Sequence, residues 1–476
     1  MWQTLYILLS VFFVSFTDKG GSPSPALSPR AVEQRARWGI PTDSLDYPVS
    51  AAYTDSLRAL GGEVLHTSRW LNGATIRCED GQAEAISACS FVKSVEKTRD
   101  NSAARCLRKQ PHIAETPSED PFRQTDIQLA QYNLPPLHEA GFRGQDIVMA
   151  VIDGGFQNYP VGSLGEHALS QVFDTARWLG TYDFTDDHDG IYGSTGSHGT
   201  ICLGLIAGSR ADYLGAAPQA DYYLMRSEED GTESPKEGDN LVAALETADS
   251  LGVNIASISL GYSWFDNPAW DYTYALMDGV SVRCSRAAQT AARKGMLVCV
   301  AAGNEGDKAW HYLTAPADAD SILTVGAVTY RDGDIAPFSS RGPSSDGRVK
   351  PEVCAVGAGT CIIDPSDGSI VYGNGTSFAC PLIAGMAACV WSALPDLTAM
   401  DIRERIIRSA DRYRTPDDDY GYGIPDAWRA YLGEESTLTP ATTSTSPARK
   451  IIRNGTIYIV RAGETYDVLG RKNLIR

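Results

Sequence analysis

Basic residues are in short supply: the 476-residue chain has 41 Lys and Arg against 59 Asp and Glu, a formal charge of −18. A surface so acidic repels phosphate backbones, and nucleic acid is not an expected partner. The ten cysteines include no C-x-x-C pair, and no Cys/His spacing of the metal-ligand kind occurs, which argues against a structural zinc or a dithiol redox motif. At 43% hydrophobic, the chain lacks both the apolar excess of a polytopic membrane protein and the polar excess of a disordered one. Its length suggests two to three folded units.

The two ends read as addresses. Leu5 to Phe16 (LYILLSVFFVSF) is an uncharged apolar run of twelve, followed at once by the turn-rich TDKGGSPSP. That is the length of a signal-peptide core and too short for a membrane span of about 20 residues, so residues 1–20 are expected to be an export leader. At the other end, residues 434–448 (EESTLTPATTSTSPA) are too polar to offset their ordering entropy, and a flexible linker is expected. Residues 449–476 then carry seven Lys/Arg and two Asp/Glu, with TIYIV and YDVLG flanking the turn-prone AGE as a small hairpin. This tail resembles the C-terminal sorting signals of the bacterial type IX secretion route. The resemblance implies contact with a secretion machinery; a basic hairpin that docks on the acidic body is the alternative.

Between about residues 25 and 110 the pattern is that of a small α+β module. Ala51 to Leu60 has helical spacing, Gly62 to Thr67 and Leu71 to Cys78 alternate, Ala83 to Ala88 is helical, and Val92 to Glu96 alternates again. Arg99 to Glu119 is charged and unpatterned, as a proteolytically exposed boundary would be.

From Asp146 onward, apolar runs alternate with amphipathic helices, which predicts an α/β domain over residues 120–433 with a mostly parallel sheet. Four positions carry chemistry. Asp153 ends the run IVMAVI, at the carboxyl end of a strand where such sheets place their sites. His198 opens a helical pattern in STGSHGTICLGLIAG, where the helix dipole disfavours the imidazolium. Asn304 follows the strand LVCVAAGNEG, and Ser377 stands at a helix start in YGNGTSFACPLIAGMAA, beside unpaired backbone N–H groups. Singly, each has an ordinary reading as a turn, a helix cap or a structural histidine.

Together, in this order, VIDGG, SHGT, SLG, AAGNEG and GTSFACP resemble the subtilisin-like serine proteases over residues 121–432. The resemblance implies a three-layer fold with a mostly parallel central sheet, and an Asp153, His198, Ser377 triad with Asn304 as oxyanion donor. It also implies peptide-binding edges at Ser259, Leu260, Gly261, Ala302 and Gly303. The leading module then becomes a propeptide, an intramolecular inhibitor removed by self-cleavage between about Arg99 and Arg123. Two departures stand out: Gly154 replaces the hydroxyl residue that follows the family aspartate, and Thr314 replaces a glycine at the base of the specificity pocket. A secreted monomeric endopeptidase acting on proteins, bacterial and outside the cell or on its surface, is the expectation. The rival from another class is an inert binding protein on the same scaffold, and an esterase is chemically allowed.

No cofactor is required by this chemistry. Calcium is common in such proteases, with Asp186-Asp187-Asp189, Asp318-Asp320 and Asp417 to Asp419 as oxygen-rich candidates. Cys202, Cys299, Cys380 and Cys389 lie in apolar patterns and are expected in the core. Cys354 and Cys361 are near enough in sequence to bridge, and Cys380 is near enough to Ser377 for bulky mercurials to interfere.

Overall fold

The computed structural model describes residues 9–436 apart from 22–23, 101–111, 115–123, 161–167, 186–190, 192–195, 230 and 331, together with three strands near the C-terminus. Two units result, 1–436 and 437–476. In chain order the leading part contains β1 (Ser10–Phe16), α1 (Pro29–Arg37), α2 (Ala51–Ala59), β2 (Glu63–Ser68), β3 (Gly73–Cys78), α3 (Asp80–Ser87) and β4 (Val92–Arg99). Then follow β5 (His112–Ala114), α4 (Gln124–Gln131), α5 (Pro135–Glu139), β6 (Val148–Asp153), β7 (Trp178–Asp183), α6 (His198–Ala207), β8 (Ser209–Arg210), β9 (Tyr213–Leu214) and β10 (Asp221–Arg226). The rest of the unit is α7 (Pro235–Leu251), β11 (Ile255–Ile258), α8 (Arg283–Arg293), β12 (Leu297–Ala301), β13 (Leu323–Thr329), β14 (Val353–Ile363), β15 (Ile370–Asn374), α9 (Thr376–Ala393), α10 (Ala399–Ser409) and α11 (Ala427–Leu432).

The central sheet has the order β5-β15-β14-β13-β12-β11-β6-β10-β7. All pairs from β14 to β7 are parallel, whereas β15 is antiparallel to β14 and β5 to β15. Strands such as β6 and β12 are buried along their whole length, the reason their sequences are continuous apolar runs. One face packs on α6, α9 and α10 and the other on α7 and α8, giving three layers as expected.

The apolar run read as an export leader has another use. Its second half is β1, the third strand in a four-stranded antiparallel sheet of order β2-β3-β1-β4, hydrogen-bonded on both sides. Val11, Phe12, Phe13, Val14 and Phe16 are all buried there. A strand covered on both faces and an export core share one apolar composition, and the leader assignment of residues 9–20 is corrected accordingly. The small module thus begins near residue 10 and contains β1 and α1 in addition to the predicted α-β-β-α-β order.

This module lies on the α7 face through a buried ionic network. Arg35 pairs with Asp46 at 2.5 Å and Asp249 at 2.6 Å, Arg69 with Asp249 at 2.7 Å, and Lys294 with Asp46 at 2.9 Å. Glu246 accepts from Ser68 Oγ and from the backbone N–H of Arg69 and Trp70. Buried charges require this density of partners, because desolvation costs several kcal/mol per ion. Arg283 adds Glu96 at the edge of the same contact, at 2.7 Å.

The described cysteines are all free. Cys354 and Cys361 both lie in β14, and seven residues of extended chain separate them by roughly 20 Å, far beyond disulfide reach. In the second unit, β16 (Arg449–Arg453), β17 (Thr456–Arg461) and β18 (Glu464–Tyr466) form an antiparallel three-stranded sheet. The strand Thr456–Arg461 is where the hairpin was expected, but its partner is Glu464–Tyr466, which begins in the expected AGE turn, and residues 467–470 of the expected second strand lie outside the described residues.

Candidate active site

Three adjacent parallel strands deliver their carboxyl ends to one place. Asp153 is the last residue of β6, Ser259 to Gly261 follow β11, and Ala302 to Asn304 follow β12. Asp153 is 1% exposed and His198 23% exposed in their side chains, and His198 Nδ1 lies 2.7 Å from Asp153 Oδ1. His198 is the first residue of α6, and a side chain at the next position would collide with Asp153 Cβ at 2.9 Å and Gly155 O at 2.6 Å. Gly199 is what lets this helix start so close to the carboxylate.

The helix-dipole expectation for His198 does not hold. Burial alone would lower its pKa, but the charges of Asp153 and Cys202 and the hydrogen bonds to both outweigh burial and hold it well above 6.5. Asp153 Oδ1 also accepts the N–H of Gly154 at 2.7 Å. Its other oxygen, Oδ2, is buried with no hydrogen-bond partner among the described residues.

Ser377 is the second residue of α9 and half-buried, whereas Thr376 and Phe378 on either side are buried. Pro381 sits inside the helix rather than in its first turn. Having no N–H, it leaves the carbonyl of Ser377, four residues earlier, without its helical donor. That carbonyl is taken up instead by Ser259 Oγ at 2.9 Å and Cys202 Sγ at 3.4 Å. Cys202 Sγ is also 3.8 Å from His198 Nδ1, one helical turn away. Cys202 is thus a thiol at the site, and Cys380 Sγ contacts Ile258 O and Ser257 Oγ. The i, i+4 spacing of His198 and Cys202 was the signal that could have revealed this.

Asn304 Oδ1 accepts from Thr376 N at 2.9 Å and Thr376 Oγ1 at 3.0 Å. The amide is thereby fixed with its NH2 group turned away from the Thr376 backbone. Gly261 is exposed, Leu260 half-buried and Ser259 buried, so the segment after β11 presents a backbone edge. Thr314 lies between the two predicted edges. A Cβ at Gly261 would meet Thr314 Oγ1 at 2.1 Å, and one at Gly303 would meet it at 2.9 Å. Thr314 itself is buried, and its hydroxyl has no partner among the described residues.

Residues 144–423 match the profile of the subtilase family. The chain belongs to the subtilase family. Residues 11–114 match the peptidase S8 propeptide domain of Bacteroidota, in agreement with the strand at Ser10–Phe16. The chain is similar to serine protease AprX of Bacillus subtilis (strain 168), 29% identical over 325 residues that make up 61% of this chain and 67% of that protein. It is 28% identical to subtilisin E of the same organism over 330 residues, 67% of this chain and 76% of the relative. A subtilisin of Bacillus pumilus is 29% identical over 301 residues, 62% and 94% of the two chains. Family membership makes this a subtilisin-like serine-type endopeptidase preceded by a propeptide domain.

The subtilase fold raises the question of calcium. Asp186, Asp187 and Asp189 lie outside the described residues. Asp318 is engaged by Gly279 N and Ser285 Oγ, Asp417 by Asp419 N, Tyr420 N and Arg412, and Asp419 by Arg341. These carboxylates serve as turn and ion-pair partners of the protein itself.

Proposed function

We propose that this subtilase hydrolyses peptide bonds with Ser377 as nucleophile, His198 as general base and acid, and Asp153 as the group that orients and charges-balances His198. The observation that carries the reading is the 2.7 Å Asp153–His198 bond on the bank of strand ends to which α9 brings Ser377. Nδ1 of His198 bonded to the carboxylate leaves Nε2 to take the Ser377 proton as Oγ attacks the peptide carbonyl. The negative charge formed on the carbonyl oxygen is met by the Ser377 N–H and the Asn304 NH2 group, which Thr376 holds in place. His198 returns its proton to the leaving amine, and water repeats the sequence on the acyl-enzyme ester. Ser259 to Gly261 on one side and Ala302-Gly303 on the other pair with the substrate backbone. Thr314 shortens the pocket between them, disfavouring large aromatic side chains.

The propeptide domain supports a self-processed precursor. The interval from Arg99 to Arg123 lies largely outside the described residues; within it, His112–Ala114 pairs with Tyr372–Asn374 of β15, the strand that leads directly into Gly375, Thr376 and Ser377. Export through the linker and basic C-terminal unit completes the proposal, and fusion of residues 434–476 to a reporter tests it: a reporter that stays inside a suitable host refutes it. For the chemistry, wild type and Ser377→Ala are compared on casein. Hydrolysis by wild type alone, blocked by an organophosphorus reagent, is expected. Equal hydrolysis by both would refute the assignment.

A further inference from the structure

The propeptide also touches the protease domain where the proposed chemistry does not reach. Between β1 and α2 the chain leaves the four-stranded sheet as a strap, residues 26–46, which contains α1 and closes where Ala26 donates its N–H to Asp46 O at 2.8 Å. Ser28 donates its N–H to Ser250 O at 2.8 Å, and Arg30 donates from Nε to Gly252 O at 3.0 Å and from its other nitrogen to Asn254 Oδ1 at 2.9 Å. That oxygen also accepts the N–H of Val148, the first residue of β6. Farther along, Trp38 stacks on Trp391, with ring centroids 5.2 Å apart and planes 28° apart. Ile40 Cδ1 packs on Gly295, 2.6 Å from where a Cβ would stand.

These contacts share one place in the fold. Gly252 and Asn254 lead into β11, Lys294 and Gly295 lead into β12, and Val148 opens β6. The strap therefore crosses the amino ends of the three strands whose carboxyl ends carry Asp153, Ser259 and Asn304. Ser377 lies in the first turn of α9 and Trp391 in the last, about 20 Å apart along the axis. The strap also joins the two helical layers, because Arg35 meets Asp249 in α7 and Trp38 meets Trp391 in α9. Asp249 pairs with Arg35 and Arg69, and Lys294 with Asp43 and Asp46; among the described residues, all the ion-pair partners of both come from the propeptide. Asp249 and Lys294 are nevertheless buried. Buried charges are tolerated only with such partners, so this end of the protease domain is built to be covered.

We propose that the amino ends of β6, β11 and β12 form a second propeptide-binding surface, remote from Ser377, and that residues 28–46 stay seated on it after the connecting chain is cut. Its ligand is an arginine-bearing helix that ends in tryptophan, α1 with Trp38, supplied by this chain itself. Held at this end, the rest of the propeptide remains at high effective concentration over the protease domain, and a single cut does not free the enzyme. Arg30, with its two acceptors, and Trp38, with its stacked partner, are the anchors, the residue types that dominate interfaces.

The binding test is independent of the proposed chemistry, although the consequence for activity rests on it. In a full-length Ser377→Ala chain, residues 115–121 are replaced by the recognition sequence of an added site-specific protease, and the cut chain is diluted and followed by native mass spectrometry. Fragment and protease domain should stay together one to one, and should separate about tenfold faster or more when Arg30→Ala and Trp38→Ala are introduced together. Hydrogen exchange on the chain without those two substitutions gives a second reading. The amides of residues 252–254, 295 and 391 should exchange slowly in the cut complex and faster once the fragment has been stripped away. A fragment that leaves as soon as the chain is cut, release at one rate with and without Arg30 and Trp38, or equal exchange at these amides in the complex and the stripped domain would each overturn the proposal. In the self-processing chain, the same double variant should shorten the delay before peptide hydrolysis begins. If that chain hydrolyses no peptide, the peptidase reading falls while the binding measurement on the cut Ser377→Ala chain stands.

Discussion

Replacing Gly154 by serine tests how the orphaned oxygen of Asp153 bears on the site. Gly154 is not among the glycines with a left-handed backbone, so a side chain there meets no conformational penalty of that kind. Asp153 Oδ2 is buried without a partner, and an unsatisfied buried acceptor typically costs about 1–3 kcal/mol. A hydroxyl delivered to it should recover about 1 kcal/mol, which in a chain of this size raises the unfolding midpoint by about 1 °C. The same bond draws charge from Oδ1, weakening the hold of Asp153 on the His198 proton. His198 stands above 6.5 because Asp153 and Cys202 overcome burial, so its pKa should move down and the acid limb of kcat/KM with it. The two readouts have opposite pH signatures. The raised pKa of His198 contributes stability that is fully present below 6.5 and is lost as pH rises through the folded value, and Gly154→Ser reduces that component while adding the new hydrogen bond. Calorimetry in a Ser377→Ala background and pH profiles in the active enzyme measure both. An unchanged or lower midpoint together with an unmoved acid limb would show that Oδ2 has no need of the hydroxyl.

Three further outcomes are expected. Asn304→Ala should lower kcat by about 100 to 1000-fold with little change in KM, the mark of a donor used in the transition state, and steady-state kinetics on a short peptide would show it. Thr314→Gly should open the space between Gly261 and Gly303 and move peptide-library preference toward Phe or Tyr before the cleaved bond; an unchanged library profile would place the pocket elsewhere. Arg69→Ala strips a partner from buried Glu246 and Asp249, and should destabilise the Ser377→Ala precursor by about 3–5 kcal/mol, read from urea unfolding.

Much of the fold and the candidate site was legible because the residues concerned make their structure locally. Continuous apolar runs ending in Asp153 and Ala302 announce buried parallel strands, and glycines before Ser377 announce a sharp strand-to-helix turn. The α-β-β-α-β order of the propeptide followed from period alone. What could not be read depended on partners distant in sequence. Phe12 and Val14 look like an export core until strands from residues 73–78 and 92–99 flank them. Cys354 and Cys361 look bridgeable until both prove to lie on one extended strand. The carbonyl freed by Pro381 finds Ser259 and Cys202 only because β11 and α6 converge on α9. The pKa of His198 is raised by Asp153, 45 residues away, and by Cys202 one turn along its own helix.

The central claim is that Ser377 is an activated nucleophile, and peptide mapping after incubation with a fluorophosphonate probe tests it most directly. Wild type should carry the adduct on Ser377 and lose an N-terminal fragment of about 100 residues, in keeping with a propeptide match that ends at residue 114. Ser377→Ala should keep that fragment and take no label. Wild type freed of its propeptide that takes no label, or takes it at another residue, would contradict the account and leave an inert subtilase scaffold in its place.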